Sequence, residues 1–126
     1  MIMTDVAAKI VALGLCTAVG TDLFKGQMPD APDVCVGVHA YGGAAPDDVT
    51  GCEYPKFQLQ VRSTSPETAY AKAYGLMKGL HSLRSVTLGT TLYHCITADS
   101  DPIPIGADGR GRWTYTVNFS VYKEMD

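Results

Sequence analysis

The sequence predicts an α+β fold: a mainly antiparallel or mixed sheet of four to five strands, with two helices packed on one face. Two segments show helical apolar spacing, and four show strand-like alternation of apolar and polar residues. Their order, helix, two strands, helix, two strands, gathers the helices on one side of an antiparallel sheet. With 126 residues, 46% of them hydrophobic, the chain is expected to form a single domain over residues 1–126 with its own core.

The first helix is predicted near the start of the sequence, where Thr4 or Asp5 is a suitable N-cap. Gly14 is expected to end it. The uncharged stretch from Ile10 to Gly20 has no basic segment before it and is shorter than the roughly 20 residues that a membrane span needs. Neither export nor a membrane association is therefore predicted. The apolar face of this helix consists of Ile2, Val6, Ile10 and Leu13.

The second helix is predicted to begin at Ser65 and to continue to about Leu83. A hydroxyl at the cap, Pro66 at the first helical position and Glu67 in the first turn are all typical of a helix start. Gly75 and Gly79 lie on one face of this helix, which allows either a close contact with the sheet or another subunit, or simply a tolerated surface position. The apolar stripe consists of Ala69, Ala73, Leu76, Leu80 and Leu83.

Alternation predicts strands over residues 34–40, 56–62, 91–98 and 113–121, and a short strand around Leu23 and Phe24 is possible. The Asp108-Gly109 dipeptide within 102–111 is a common hairpin turn, so the last two strands are expected to pair antiparallel. The connection from Tyr41 to Pro55 is long for a hairpin, and loops of that length are often functional.

No signature of a common enzyme is present: no phosphate-binding loop, dinucleotide fingerprint, nucleophile elbow or zinc-protease motif. The cysteines and histidines lack metal-ligand spacing, so we expect neither a metal site nor a cofactor, and mostly buried, reduced thiols. These residues are Cys16, Cys35, Cys52, Cys95, His39, His81 and His94.

Two groups of acidic residues are candidates for a metal-binding or catalytic site. Asp99 and Asp101 with Asp108 loosely resemble a calcium loop, but the prolines between them break the spacing and favour a turn. Asp47 and Asp48 lie near Glu53 and allow either a carboxylate pair for acid–base chemistry or a solvated loop. Since no histidine partner is placed near them, we assign no catalytic residue and expect a protein that is not an enzyme.

Charge is unevenly distributed along a chain whose net charge is −3, which disfavours a duplex-DNA reader. From Asp22 to Glu53 there are six acids and one base, and from Lys56 to Arg84 five bases and one acid. Two such regions can face each other in neighbouring copies packed head to tail in a ring. Ordinary segregation between loops and a solvated helix face is the alternative.

Four segments resemble, in the same order, a family of small tailed-bacteriophage proteins known as minor capsid proteins or tail terminators, also called tail-completion or head–tail joining proteins. The first is Thr21-Asp22-Leu23-Phe24-Lys25-Gly26-Gln27-Met28-Pro29-Asp30. The others are Tyr54-Pro55 leading a strand that ends Gln60-Val61-Arg62, then Ala69-Tyr70-Ala71-Lys72-Ala73-Tyr74 in a helix ending near Leu80-His81, and Gly109-Arg110 before Val117-Asn118-Phe119-Ser120-Val121-Tyr122.

The resemblance implies a virion protein at the tail–neck junction, assembled in the host cytoplasm. Such proteins form a ring, usually of six copies, on the head-proximal end of the tail tube, where they stop tube polymerisation. The implied partners are other copies of the chain, the tail tube protein and a neck or head-completion protein. DNA passes through the lumen without being read, and an acidic loop containing Asp47, Asp48 and Glu53 is a candidate for the lumen or an interface.

Two alternatives remain at this point. A head-side adaptor or stopper of the neck belongs to the same structural class. A small α+β enzyme or ligand-binding domain, with its pocket between helix and sheet, belongs to a different one.

Overall fold

The computed structural model describes residues 1–126 and contains two helices and a mixed, curled sheet of seven strands. The α+β class and the mixed sheet are confirmed, but the predicted four to five strands are too few. In chain order the elements are α1 (Ile2–Ala12), β1 (Leu23–Lys25), β2 (Cys35–Ala44), β3 (Tyr54–Ser63), α2 (Pro66–Leu80), β4 (Leu83–Leu88), β5 (Thr91–Ala98), β6 (Ile103–Ala107) and β7 (Trp113–Lys123).

Two strands, β4 and β6, were missed by the sequence analysis. β4 lies just where α2 was expected to end, because the helix stops at Leu80 and Ser82 takes a left-handed φ of 64° that turns the chain into the sheet. β6 contains Pro104 and was interpreted as part of a turn. Proline is tolerated there because β6 is an edge strand that pairs only with β7.

The predicted cap of α1 is wrong, since the helix already begins at Ile2. Asp5 has a different role: its side chain is buried, and its Oδ2 accepts a 2.7 Å hydrogen bond from the hydroxyl of Tyr93 on β5.

The predicted start of α2 is confirmed, because Ser65 Oγ accepts a hydrogen bond from the backbone N–H of Thr68. Neither helix is long and apolar enough to cross a membrane.

The sheet has the order β1-β2-β3-β7-β5-β4, with β6 also paired to β7. β1 and β2 run parallel, and every other pair is antiparallel. The last two predicted strands, β5 and β7, do pair antiparallel. The Asp108-Gly109 turn, however, joins β6 to β7 rather than β5 to β7.

The core lies between the two helices and the apolar face of the sheet. Phe57 on β3 stacks on Phe119 on β7 at 4.6 Å between ring centroids, and both are fully buried.

The face of α2 that carries Gly75 and Gly79 makes a close contact: a Cβ on Gly79 would lie 3.0 Å from Leu15 Cδ1. As expected, most cysteines are buried: Cys16, Cys35 and Cys52 fully and Cys95 partly, all as free thiols.

The β2–β3 connection is shorter than predicted, because β2 continues to Ala44 and β3 already begins at Tyr54. Only residues 45–53 form the loop, which we call the β2–β3 loop. The register shifts between Tyr41 and Ala44, and within this bulge Gly43 lies so close to β3 that a Cβ would overlap the carbonyl oxygen of Tyr54.

We expect Gly43→Ala to destabilise the protein by about 1–3 kcal/mol, because the added methyl group forces the two strands apart. Gly42→Ala is the matched control: no atom lies within 4 Å of its Cβ position, so its effect is expected within about 0.5 kcal/mol. Urea denaturation measures both variants. Equal stability of the two would contradict the close approach at Gly43.

Candidate interaction surfaces

The three acids singled out in the sequence lie in or beside the β2–β3 loop, but they have different surroundings. Asp47 Oδ1 accepts hydrogen bonds from the backbone N–H groups of Val49 at 2.8 Å and Thr50 at 3.3 Å. These bonds stabilise the carboxylate and lower the pKa of Asp47. Asp48 is exposed and makes no ion pair or side-chain hydrogen bond within the chain.

Glu53 anchors the loop to the end of β7. Its carboxylate lies 3.1 Å from Nζ of Lys123, whose side chain is 3% exposed. The two residues also exchange both backbone hydrogen bonds, at 2.7 and 3.0 Å. Burial would lower the pKa of Lys123, but hydrogen bonds to Asp126 and Glu53 outweigh that effect and raise it. The charge of Glu53 is therefore neutralised within the subunit.

The loop consequently presents Asp48 and Val49 to the surroundings. Val49 is 88% exposed, more than any other large hydrophobic residue in the chain. Neither the acidic charge of Asp48 nor the apolar side chain of Val49 has a partner in the subunit, so both groups are available for a contact with another molecule.

Two buried arginines connect three of the segments on which the phage resemblance depends. Arg62, at the end of β3, donates hydrogen bonds to the carbonyl oxygens of Pro29 (2.6 Å), Pro32 (2.7 Å) and Asp33 (3.1 Å). One guanidinium thus satisfies three carbonyls between β1 and β2, one inside the first resembling segment and two just after it. Only the planar fork of arginine presents donors in this geometry.

Arg112 holds the same loop from the β6–β7 hairpin. It pairs with Asp30 at 3.1 Å, Asp33 at 3.6 Å and Asp108 at 2.7 Å, and Arg110 contacts Asp30 as well. Backbone N–H groups of Arg112 and Arg110, followed by the Arg112 guanidinium, lower the pKa of Asp108 to about 2. We call Arg62, Arg112 and their partners the arginine clasp. It was not predicted, because the residues are distant in sequence and only the fold brings them together.

An exposed aromatic surface lies on α2. Tyr70 stacks on Tyr74 at 5.8 Å and meets Tyr115 of β7 edge-on at 5.7 Å, while Lys78 lies over the Tyr74 ring. Tyr70 and Tyr74 lie in the helical segment of the family resemblance. Exposed tyrosines are enriched at protein–protein contacts, so this surface is a second candidate for an interaction.

A pocket of about 240 Å³ opens between α2 and the ends of β2 and β3. Half of its lining residues are hydrophobic, and the lining also contains two opposite charges, Asp22 and Lys72 of α2, that form no ion pair within the chain. Ser63 also lines it and carries a buried hydroxyl with no hydrogen-bond partner. Its apolar lining consists of Cys16, Val34, Cys35, Val36 and Val61.

One arrangement superficially resembles a catalytic triad. Cys52 Sγ lies 3.9 Å from His94 Nε2, and Glu124 lies 3.8 Å from the same nitrogen. A base that accepts a proton on one ring nitrogen must be oriented by a carboxylate on the other. Because both contacts use Nε2, this cluster does not provide that geometry. No three His, Cys, Asp or Glu residues are grouped so that they could hold a metal ion.

The fold of this chain has a counterpart among solved structures. A chain of the solved virion of a native gene transfer agent particle superimposes with a TM-score of 0.73, covering 95% of this chain and 92% of that chain at 17% identity. This similarity shows a fold shared with a virion chain. A comparison with curated proteins finds no significant sequence match.

The sequence identifies the family to which the chain belongs. A family model described as bacteriophage tail terminator protein matches residues 10–124, and the chain belongs to that family. The family resemblance found in the sequence is thereby confirmed. The protein is a structural component of the phage tail and of the virion.

We expect Arg62→Lys to destabilise the protein by about 1.5–3 kcal/mol, because a lysine ammonium cannot satisfy the three carbonyl oxygens that the guanidinium binds. Arg84→Lys is the control, since Arg84 is exposed and makes no side-chain hydrogen bond or ion pair. Chemical denaturation compares the two variants, and indistinguishable midpoints would contradict the role given to Arg62.

The clasp also predicts a dependence on pH. Because the pKa of Asp108 is lower in the folded protein than its ordinary 3.8, the unfolded chain binds this proton more readily. The stabilisation is present above the ordinary pKa and is lost as the pH falls towards about 2. We expect Asp108→Asn to reduce the loss of stability between pH 4 and pH 2, measured by thermal unfolding.

Asp101→Asn is the matched control for this titration, because it removes the same charge from an exposed carboxylate that accepts no hydrogen bond. It is expected to leave the acid-dependent loss of stability unchanged. An identical pH profile in both variants would show that the clasp does not lower the pKa of Asp108.

Proposed function

We propose that this protein forms a homo-oligomeric ring, of six copies, on the head-proximal end of the phage tail tube, where it stops tube polymerisation and joins the tail to the neck. The observation that carries the proposal is the match of the tail terminator family to residues 10–124. The proposed role is purely structural and uses neither catalysis nor a cofactor.

The physical task is capping. One face of the ring is complementary to the last ring of the tube, and the opposite face does not accept a further tube subunit. The subunit carries exposed groups suited to such contacts, namely Val49 and Asp48 on the β2–β3 loop and the tyrosine surface of α2. Burying the Val49 side chain and the tyrosine rings between subunits supplies binding free energy in proportion to the apolar area removed from water.

The partners in this proposal are further copies of the chain, the tail tube protein and a neck or head-completion protein. The ring would sit at the tail–neck junction of a particle assembled in the host cytoplasm. DNA would pass through its lumen without sequence recognition, consistent with a chain that carries a net charge of −3.

Of the two positions considered for the acidic loop, lumen and interface, we favour the interface. Asp47 is engaged by backbone N–H groups, and Glu53 is neutralised by Lys123. That leaves Asp48 as the free charge, beside an exposed Val49 that gains nothing from a water-filled lumen. An acidic lumen lining would instead act by repelling DNA phosphates.

Electron microscopy of particles made from a phage genome with an early stop codon in this gene tests the function. We expect separate full heads beside overlong tubes of uneven length, because the tube lacks its cap. A plasmid copy of the gene should restore normal particles. Headless tails of normal, uniform length would instead place the protein on the head side of the joint, and normal infective particles would exclude a role in the neck.

A further inference from the structure

The tip of the β2–β3 loop is a fixed apolar projection. Val49 is 88% exposed, yet the turn that carries it is held by hydrogen bonds from its own N–H and that of Thr50 to Asp47. A third bond, from the Cys52 N–H to Thr50 Oγ1 at 3.2 Å, closes the turn. The valine side chain is therefore presented in a defined position without contacts inside its own subunit.

The pocket beside α2 has complementary properties. At about 240 Å³ it accommodates a branched aliphatic side chain, and half of its lining residues are hydrophobic. Of its charged residues, Arg62 is engaged by backbone carbonyls and Asp22 by the backbone N–H groups of Thr17 and Ala18, whereas Lys72 makes no ion pair within the chain. The Ser63 hydroxyl also lacks a hydrogen-bond partner within the subunit. The pocket therefore offers an apolar cavity and, in Lys72, a cation that makes no ion pair in the subunit.

The projection and the pocket lie at opposite ends of the same β-hairpin. The loop follows the last residue of β2, while the pocket is lined by the first residues of β2 and the last residues of β3. Each strand has 10 residues, so the two sites are roughly 30 Å apart. A subunit cannot fill its own pocket, and a contact between them runs from one copy to the next in a head-to-tail manner.

We propose that Val49 of one copy inserts into the pocket between α2 and the β2–β3 strand ends of the next copy, with Asp48 paired to Lys72 of that copy. This contact is the subunit interface of the ring and rests on the proposed function. It also gives a structural meaning to the uneven charge distribution, since the acid-rich region contributes Asp48 and the base-rich region contributes Lys72.

The first test is complementation of the stop-codon phage with Val49→Asp. We expect this variant to fail to complement and to leave overlong tubes. A carboxylate in an apolar pocket weakens the contact by about tenfold or more, because the free energy gained by burying the valine side chain is lost. Its thermal stability should equal that of the unmodified protein, because the Val49 side chain is almost fully exposed in the subunit. Ile105→Asp, at another exposed apolar position, is the matched control and should complement.

The ionic part of the contact is tested by charge exchange. Asp48→Lys and Lys72→Asp should each reduce complementation, since each places like charges opposite one another. The double variant Asp48→Lys/Lys72→Asp should recover a substantial part of the loss. Full complementation by both single variants would show that these residues do not meet.

A covalent test uses the two native thiols of the pocket, Cys16 and Cys35. Particles complemented with Val49→Cys and treated with a mild oxidant should contain disulfide-linked multimers of the chain on a non-reducing gel. Changing both pocket cysteines to serine should abolish them, and Ile105→Cys should not form them.

The failures of the two proposals are distinguishable. Normal particles from the stop-codon phage would overturn the proposed function and the interface with it. Overlong tubes from the stop-codon phage, combined with full complementation by Val49→Asp and no multimers from Val49→Cys, would overturn only the interface and leave the capping role in place.

Discussion

Strand β7 is the element on which the rest of the structure depends. One of its edges pairs with β3 along nearly its whole length, and its other edge pairs first with β6 and then with β5. Strands β3, β5 and β6 are therefore all positioned by their hydrogen bonds to β7. Its alternation places Val117, Phe119 and Val121 in the core, while Asn118 and Ser120 face outwards. A shift of β7 by one residue would exchange these two faces, so the core fixes its register.

The outward face of the same strands is held by polar contacts rather than by packing. Asn118 accepts a 2.9 Å hydrogen bond from Gln58, and Ser120 accepts a 2.8 Å bond from Lys56, which also pairs with Asp99. These side chains satisfy one another across neighbouring strands. The sheet is consequently well defined on both faces, which allows its loops to be presented in fixed positions.

The arginine clasp extends this order to the segment that carries the family resemblance. Asp30 lies in an exposed loop, but Arg112 holds it from the hairpin before β7, and Arg62 holds the neighbouring carbonyls from β3. Asp22, earlier in the same segment, accepts bonds from the backbone N–H groups of Thr17 and Ala18. The residues that make this segment recognisable therefore act mainly in positioning the chain, and the exposed groups available for partners lie elsewhere.

Alternation and helix-start chemistry were sufficient to predict both helices and the four longest strands, because each pattern depends on which side of an element faces the core. The strand containing Phe57 and the start of α2 at Ser65 are examples. β4 and β6 escaped prediction because they lie at sheet edges, where most side chains are exposed and no alternation is required. The cap of α1 was misassigned because Asp5 binds Tyr93 across the fold rather than its own helix.

The sequence by itself determined the fold class, the absence of known enzyme motifs and the family, because local periodicity and ordered motifs are properties of the chain alone. It also identified the acids of the β2–β3 loop as candidates. Only the tertiary structure decided their separate roles, since the neutralisation of Glu53 depends on Lys123, 70 residues away. Long-range pairing likewise decided that a pocket forms at the far end of the hairpin, because Cys16, α2 and the ends of β2 and β3 are distant in sequence and no local pattern encodes their contact.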